Sequence, residues 1–134
     1  MGLFNFFSKK TKHPILTIQD AERKLRLTFA DDYKNIVKQK FPKEYCYATI
    51  MGISDKPFLD VVAMTKIARE EYPNIPLNMY VVANLGIDYF YMLQDQSGVI
   101  YECHASIGIR KAYNNLATYI QYLEDNTPPL MKKK

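Results

Sequence analysis

A chain of 134 residues, 48% apolar and 24% charged, is long enough to bury one core without disulfides or metal, and its composition is that of a globular domain, not a disordered or fibrous one. Its net charge of +4 does not point to nucleic acid. Lys9, Lys10, Lys12, Lys132, Lys133 and Lys134 lie at the two ends, whereas all 14 acidic residues lie between them, so the body 13–131 holds 12 basic residues against 14 acidic ones and stands at −2. A nucleic-acid binder carries its cations on the folded domain itself.

The N-terminal segment 1–13, beginning MGLFNFFSKKTK, sets Leu3, Phe4, Phe6 and Phe7 before three lysines. It lacks the small-residue cleavage site of a secretory signal, and Phe6 stands where myristoylation wants Ser or Thr. Its two readings are an amphipathic segment that touches anionic lipid or a partner, and a segment that docks on its own domain. The domain is expected over 14–126, with a basic tail over 127–134.

Thr17 followed by Asp20 resembles a capping box, and Ile18, Ala21, Leu25 and Phe29 recur at helical spacing, which predicts a helix over 18–28. Asp31 or Asp32 can cap a second helix with Tyr33, Ile36, Val37 and Phe41 on one face, stopped by Pro42. Residues 46–53, CYATIMGI, read as a strand, and Ser54-Asp55-Lys56-Pro57 as a turn. Asp60 opens a third helix whose stripe is Val61, Met64, Ala68 and Tyr72, and Pro73 ends it. MYVVANL, 79–85, predicts a strand, and 87–93 with 99–103 predict a hairpin about Asp95-Gln96-Ser97-Gly98. From Arg110 onward, Tyr113, Leu116, Ala117, Ile120 and Leu123 define a last helix.

The links between the three later strands are too short for a crossover, so the fold class is α+β: a single domain with an antiparallel β-meander, covered by helices on one side. The hairpin is apolar on both faces. Ile87, Tyr89, Tyr91 and Leu93 alternate with Asp88, Phe90 and Met92, and Val99, Tyr101 and Cys103 alternate with Ile100, Glu102 and His104. A sheet with one wet face would alternate apolar with polar. The second face is covered either by the N-terminal segment or a loop, or it is a tyrosine-lined surface for a protein partner.

Chemistry finds little support. The acidic pairs Asp31-Asp32, Glu70-Glu71 and Glu124-Asp125 are sequence neighbours, which do not face each other on a helix. Cys103 and His104 point to opposite faces of a strand, and Cys46 and His13 supply no recognisable metal spacing. The five glycines stand singly, so no phosphate loop exists. The reading is no enzyme, no metal and no cofactor, and two reduced thiols in a cytoplasmic protein.

Four stretches in order carry a resemblance: FADDYKNIV at 29–37, LDVVAMTKIAREEYPNIP at 59–76, NLGIDYFYMLQDQSGVIYE at 84–102 and AYNNLATYIQYL at 112–123. Together the chain resembles the SUKH superfamily, which includes a fungal cell-wall-synthesis regulator and many bacterial immunity proteins. It departs from the pattern where Phe29-Ala30 replaces Leu-Pro, where Ile100 separates Val99 from Tyr101, and where Cys103 replaces a tryptophan. The resemblance implies a non-enzymatic protein-binding domain whose partner is a cognate toxin, often a nuclease, encoded nearby. Candidate contacts carried from the hairpin are Asp88, Tyr89, Tyr91, Asp95, Tyr101 and Glu102, which cannot all share one face. A peripheral membrane or cell-envelope regulatory module using the Phe- and Lys-rich N-terminus is the alternative.

Overall fold

The computed structural model describes residues 14–87 and 90–126. The expectations for segment 1–13, for the tail 127–134 and for Asp88 and Tyr89 lie outside the described residues. Four helices and six strands follow in the order α1 (Ile18–Leu25), α2 (Asp31–Lys40), β1 (Lys43–Glu44), β2 (Thr49–Ile50), α3 (Val61–Glu71), β3 (Tyr80–Asn84), β4 (Tyr91–Gln94), β5 (Ile100–His104), β6 (Gly108–Tyr113) and α4 (Leu116–Asp125). A single 3-10 turn, Pro57–Leu59, precedes α3. The strands form one sheet in the order β1-β2-β3-β4-β5-β6, antiparallel throughout. The expected α+β meander is the fold.

The helix starts follow their capping chemistry. Thr17 accepts from the Asp20 amide at 3.0 Å, and Asp60 accepts from the Ala63 amide at 3.1 Å, each satisfying an amide that has no partner inside its helix. At α2 the expectation fails: the cap position is Ala30, which makes no side-chain cap. Asp32 is used elsewhere, because its carboxylate accepts from Gln94 Nε2 and from the Leu116 amide, both at 3.1 Å.

Two strand boundaries also move. Of the predicted 46–53 strand only Thr49–Ile50 joins the sheet as a strand, since Tyr45 to Ala48 make a tight turn that brings in β1, and Gly52 makes only an isolated parallel bridge to Asp60. Gly52 then passes so close to the end of α2 that a Cβ would sit 2.4 Å from the Pro42 nitrogen. On the far side of β3, Gly86 takes φ 74° and the Phe90 amide donates to the Ile87 carbonyl, and β4 begins at Tyr91 instead of residue 87.

The larger correction concerns 108–113. The spacing that predicted a helix from Arg110 is real only from Leu116, where Asn115 accepts from the Thr118 amide at 2.8 Å. Before it, Gly108 (φ 74°) turns the chain back after His104, and Ile109, Arg110 and Lys111 pair with Cys103, Glu102 and Tyr101 as an edge strand.

Cross-strand pairs share a face, so the register sorts the side chains. Val81, Tyr91, Leu93, Tyr101, Cys103, Ile109 and Lys111 lie on one face; Tyr80, Met92, Gln94, Ile100, Glu102, Arg110 and Tyr113 lie on the other. Helix α3 covers the first: Thr65 accepts from the Val81 amide at 2.9 Å, and Tyr91 donates to Glu71 at 2.5 Å. Helix α1 packs on α3. Helices α2 and α4 cover the second, where Tyr80 meets Phe29 and Tyr33 at ring distances of 4.7 and 5.4 Å and Tyr113 meets Tyr119 at 5.0 Å. Helices on one side were expected; both faces carry them, which is why the hairpin is apolar on both.

A buried polar chain ties these layers together. The Tyr80 hydroxyl accepts from the Ala30 amide at 2.9 Å and donates to Gln94 Oε1 at 2.5 Å, and Gln94 Nε2 donates to Asp32 and to the Gly98 carbonyl. Every buried polar atom named here has its partner, the condition under which such a network specifies one packing arrangement.

Candidate partner-binding groove

Between β4, β5, β6 and α4, the described residues leave part of the second sheet face uncovered. An open groove of about 580 Å³ results, with Phe90, Met92 and Tyr113 on its sheet side, Tyr119 and Tyr122 from α4, and Tyr47 from the β1–β2 turn. Tyr47 and Tyr122 are 54% and 44% exposed, so their rings face solvent although large and apolar. The aromatic arrangement is fixed from within: Tyr113 lies 5.0 Å from Tyr119 and 5.9 Å from Tyr122, ring centre to ring centre. Glu102 and Arg110 cross the strands on this face and pair at 3.1 Å, giving the groove a charged margin.

Inside that charged margin the phenols stay neutral. Burial pushes the Tyr113 phenol up, with help from neighbouring Tyr122 and Glu102, and burial, then Tyr113 and Tyr122, raise Tyr119 further. These hydroxyls are therefore donors at neutral pH, each an aromatic body with a polar tip, which suits interface centres.

The sequence-predicted contacts fall in different places. Tyr91 is buried on the α3 face, its hydroxyl on Glu71 and its ring 6.2 Å from Tyr72. Asp95 shapes the β4–β5 turn, accepting from the Ser97 amide at 3.0 Å and from the Tyr101 hydroxyl at 3.1 Å. Tyr101 is half-buried on the α3 face; Glu102 lies opposite, in the groove. The structure thus brings Asp95 and Tyr101 together and separates Glu102 from them. Tyr47, Arg110, Tyr113, Tyr119 and Tyr122 were not among the candidates. For Arg110 and Tyr113 the missing signal was the strand 108–113 itself, which puts both on the face of Glu102; no spacing links them to Tyr47, Tyr119 and Tyr122.

Burial raises the Cys103 thiol to about 11, which leaves it a protonated core residue rather than a nucleophile, and both cysteines are free. Among the described residues, no group of three or more His, Cys, Asp or Glu side chains is arranged to hold a metal ion, and no helix is long and apolar enough to cross a membrane.

The family model SUKH_6, described as SMI1-KNR4 cell-wall, matches residues 15–120. The chain belongs to this SUKH family. The matched span runs from before α1 into α4 and so takes in the whole sheet and most of the groove. No curated protein and no solved structure matches the chain.

Proposed function

We propose that this SUKH domain is a non-enzymatic cytoplasmic immunity protein that neutralises a cognate toxin by direct binding, and that the toxin seats on the groove between β6 and α4. Family membership supports a protein-binding role. The observation that carries the assignment to this surface is the cluster of three tyrosines lining an open groove, buried Tyr119 with Tyr113 and exposed Tyr122 packed at tilted ring angles, with Glu102 and Arg110 at the rim. Aromatic rings fixed before binding lose little conformational entropy when a partner lands on them, and they anchor interfaces out of proportion to their area.

Of the contacts expected from the hairpin, Glu102 serves at the groove, while Asp95 and Tyr101 shape the β4–β5 turn on the opposite face. Tyr91 acts from beneath, holding α3 in place. The alternative reading, a membrane or envelope module, rests on segment 1–13, and nothing in the groove favours it.

Co-expression tests the proposal. The protein encoded beside this chain, if toxic to its host, is expected to lose its toxicity when the wild-type domain is present. The Tyr122→Ala and Arg110→Glu variants, folded but altered at the groove, are expected to protect poorly. Full protection by both variants would remove the groove from the account, and a neighbour whose toxicity the wild-type chain leaves unchanged would remove the immunity reading.

A further inference from the structure

The sheet ends on two unequal edges. β1 is two residues long, whereas β6 runs for six, Gly108–Tyr113, or roughly 20 Å of extended chain. One side of β6 pairs with β5, and no described strand pairs with the other. Gly108, Arg110 and Lys111 are exposed, and Ile109, Ala112 and Tyr113 are half-buried. Long open edges are places where another chain can add a strand.

The charge on this edge decides which chain. Residues 108–113 hold Arg110 and Lys111 and no acidic side chain. In antiparallel pairing of two copies of β6 about a twofold axis normal to the sheet, partners share a face, so the central residue meets itself. Centring on 110 opposes Arg110 to Arg110, and centring on 111 opposes Lys111 to Lys111. Like charges directly opposite each other destabilise a strand pair. Registers centred further out leave only part of the strand paired. Self-association is therefore disfavoured in the registers that pair most of the strand, while an acidic strand is favoured, because Arg110 is held by Glu102 and Lys111 makes no ion pair among the described residues.

We propose that the free edge of β6 takes up an extended acidic segment of the protein partner as a seventh strand. The inference rests on the protein-binding reading above and adds to it the means of docking. Alternation then sets the pattern of the incoming segment. A carboxylate opposite Lys111 lies on the Tyr101 face, and apolar residues one position to either side lie on the groove face, which Tyr113 also faces.

The test uses a capped decapeptide alternating Glu and Val, with two controls: the same peptide with Lys for Glu, and the Glu peptide with alternate backbone nitrogens methylated. Binding to the full chain is read by amide chemical shifts and fluorescence anisotropy. The Glu peptide is expected to shift the amides of 108–113, to bind at least tenfold more tightly than the Lys peptide, and to weaken at least fivefold with Lys111→Glu and less with Lys111→Ala. The methylated peptide is expected not to bind. Absence of shifts in 108–113 at millimolar peptide would overturn the inference, as would equal binding of the methylated peptide, or a wild-type chain that dimerises through β6. Should the peptide fail while Tyr122→Ala still abolishes protection from the toxin, the edge inference falls and the groove reading stands.

Discussion

Replacing Tyr80 by Phe isolates the buried polar chain at the centre of the fold. The ring stays, with its contacts to Phe29 and Tyr33, so the change removes one oxygen and opens almost no cavity. What it leaves behind is the Ala30 amide, which had donated to that oxygen at 2.9 Å, and Gln94 Oε1, which had accepted from it at 2.5 Å. Gln94 is 0% exposed and Ala30 1%, so neither group reaches water. A buried polar group without its partner costs about 1–3 kcal/mol, and two such groups put the loss at about 2–6 kcal/mol. With a urea m-value of about 2 kcal/mol per molar for a domain of this size, the unfolding midpoint is expected to fall by roughly 1–3 M at unchanged m. The companion variant Gln94→Leu breaks the same chain, so the double variant is expected to lose less than the two single losses together. A Tyr80→Phe midpoint within about 0.3 M of wild type would refute the reasoning, since the network would then contribute no more than an exposed hydrogen bond.

Alkaline pH tests the same core from another side. Burial raises the phenols of Tyr33, Tyr80 and Tyr119 above the ordinary value near 10, so they stay protonated in the fold while the unfolded chain ionises. Stability is therefore fully present below about pH 10 and lost as pH rises beyond it. Urea midpoints measured from pH 8 to 11 should be flat and then fall, and a midpoint that rises above pH 10 would contradict the assignment. Thiol labelling at pH 8 should modify half-buried Cys46 readily and Cys103, with its raised pKa and 1% exposure, only as the protein unfolds. Equal rates for the two would place Cys103 outside the core.

Local signals carried much of the fold. Thr17 and Asp60 announce helix starts through side chains that bond to nearby amides, and Pro42 and Pro73 stand just beyond the helix ends, so α1, α2 and α3 were legible within a few residues. The β3–β4–β5 meander was legible because β-branched and aromatic runs alternate between short turns. Strand β6 was not, because Tyr113, Leu116, Ala117 and Ile120 share a helical phase that extends smoothly backwards, and only pairing with β5 sets 108–113 apart. Losing β6 hid the groove. Its tyrosines come from the β1–β2 turn, from β6 and from α4, and no spacing in the chain announces that they meet. The apolar character of both hairpin faces was readable, but its cause was covering helices on both sides, which only the tertiary arrangement reveals. Asp32 makes the same point in miniature: placed like a helix cap, it holds Gln94 and the start of α4.

The central claim is that a protein partner occupies the tyrosine groove and its β6 rim. Backbone hydrogen exchange of the chain alone and mixed with the proposed partner, the protein encoded beside it, measures this directly. Slowed exchange confined to 45–48, 108–113 and 119–123 is the predicted footprint. Unchanged exchange there, with protection on the outer surfaces of α1 and α3 instead, would contradict the account.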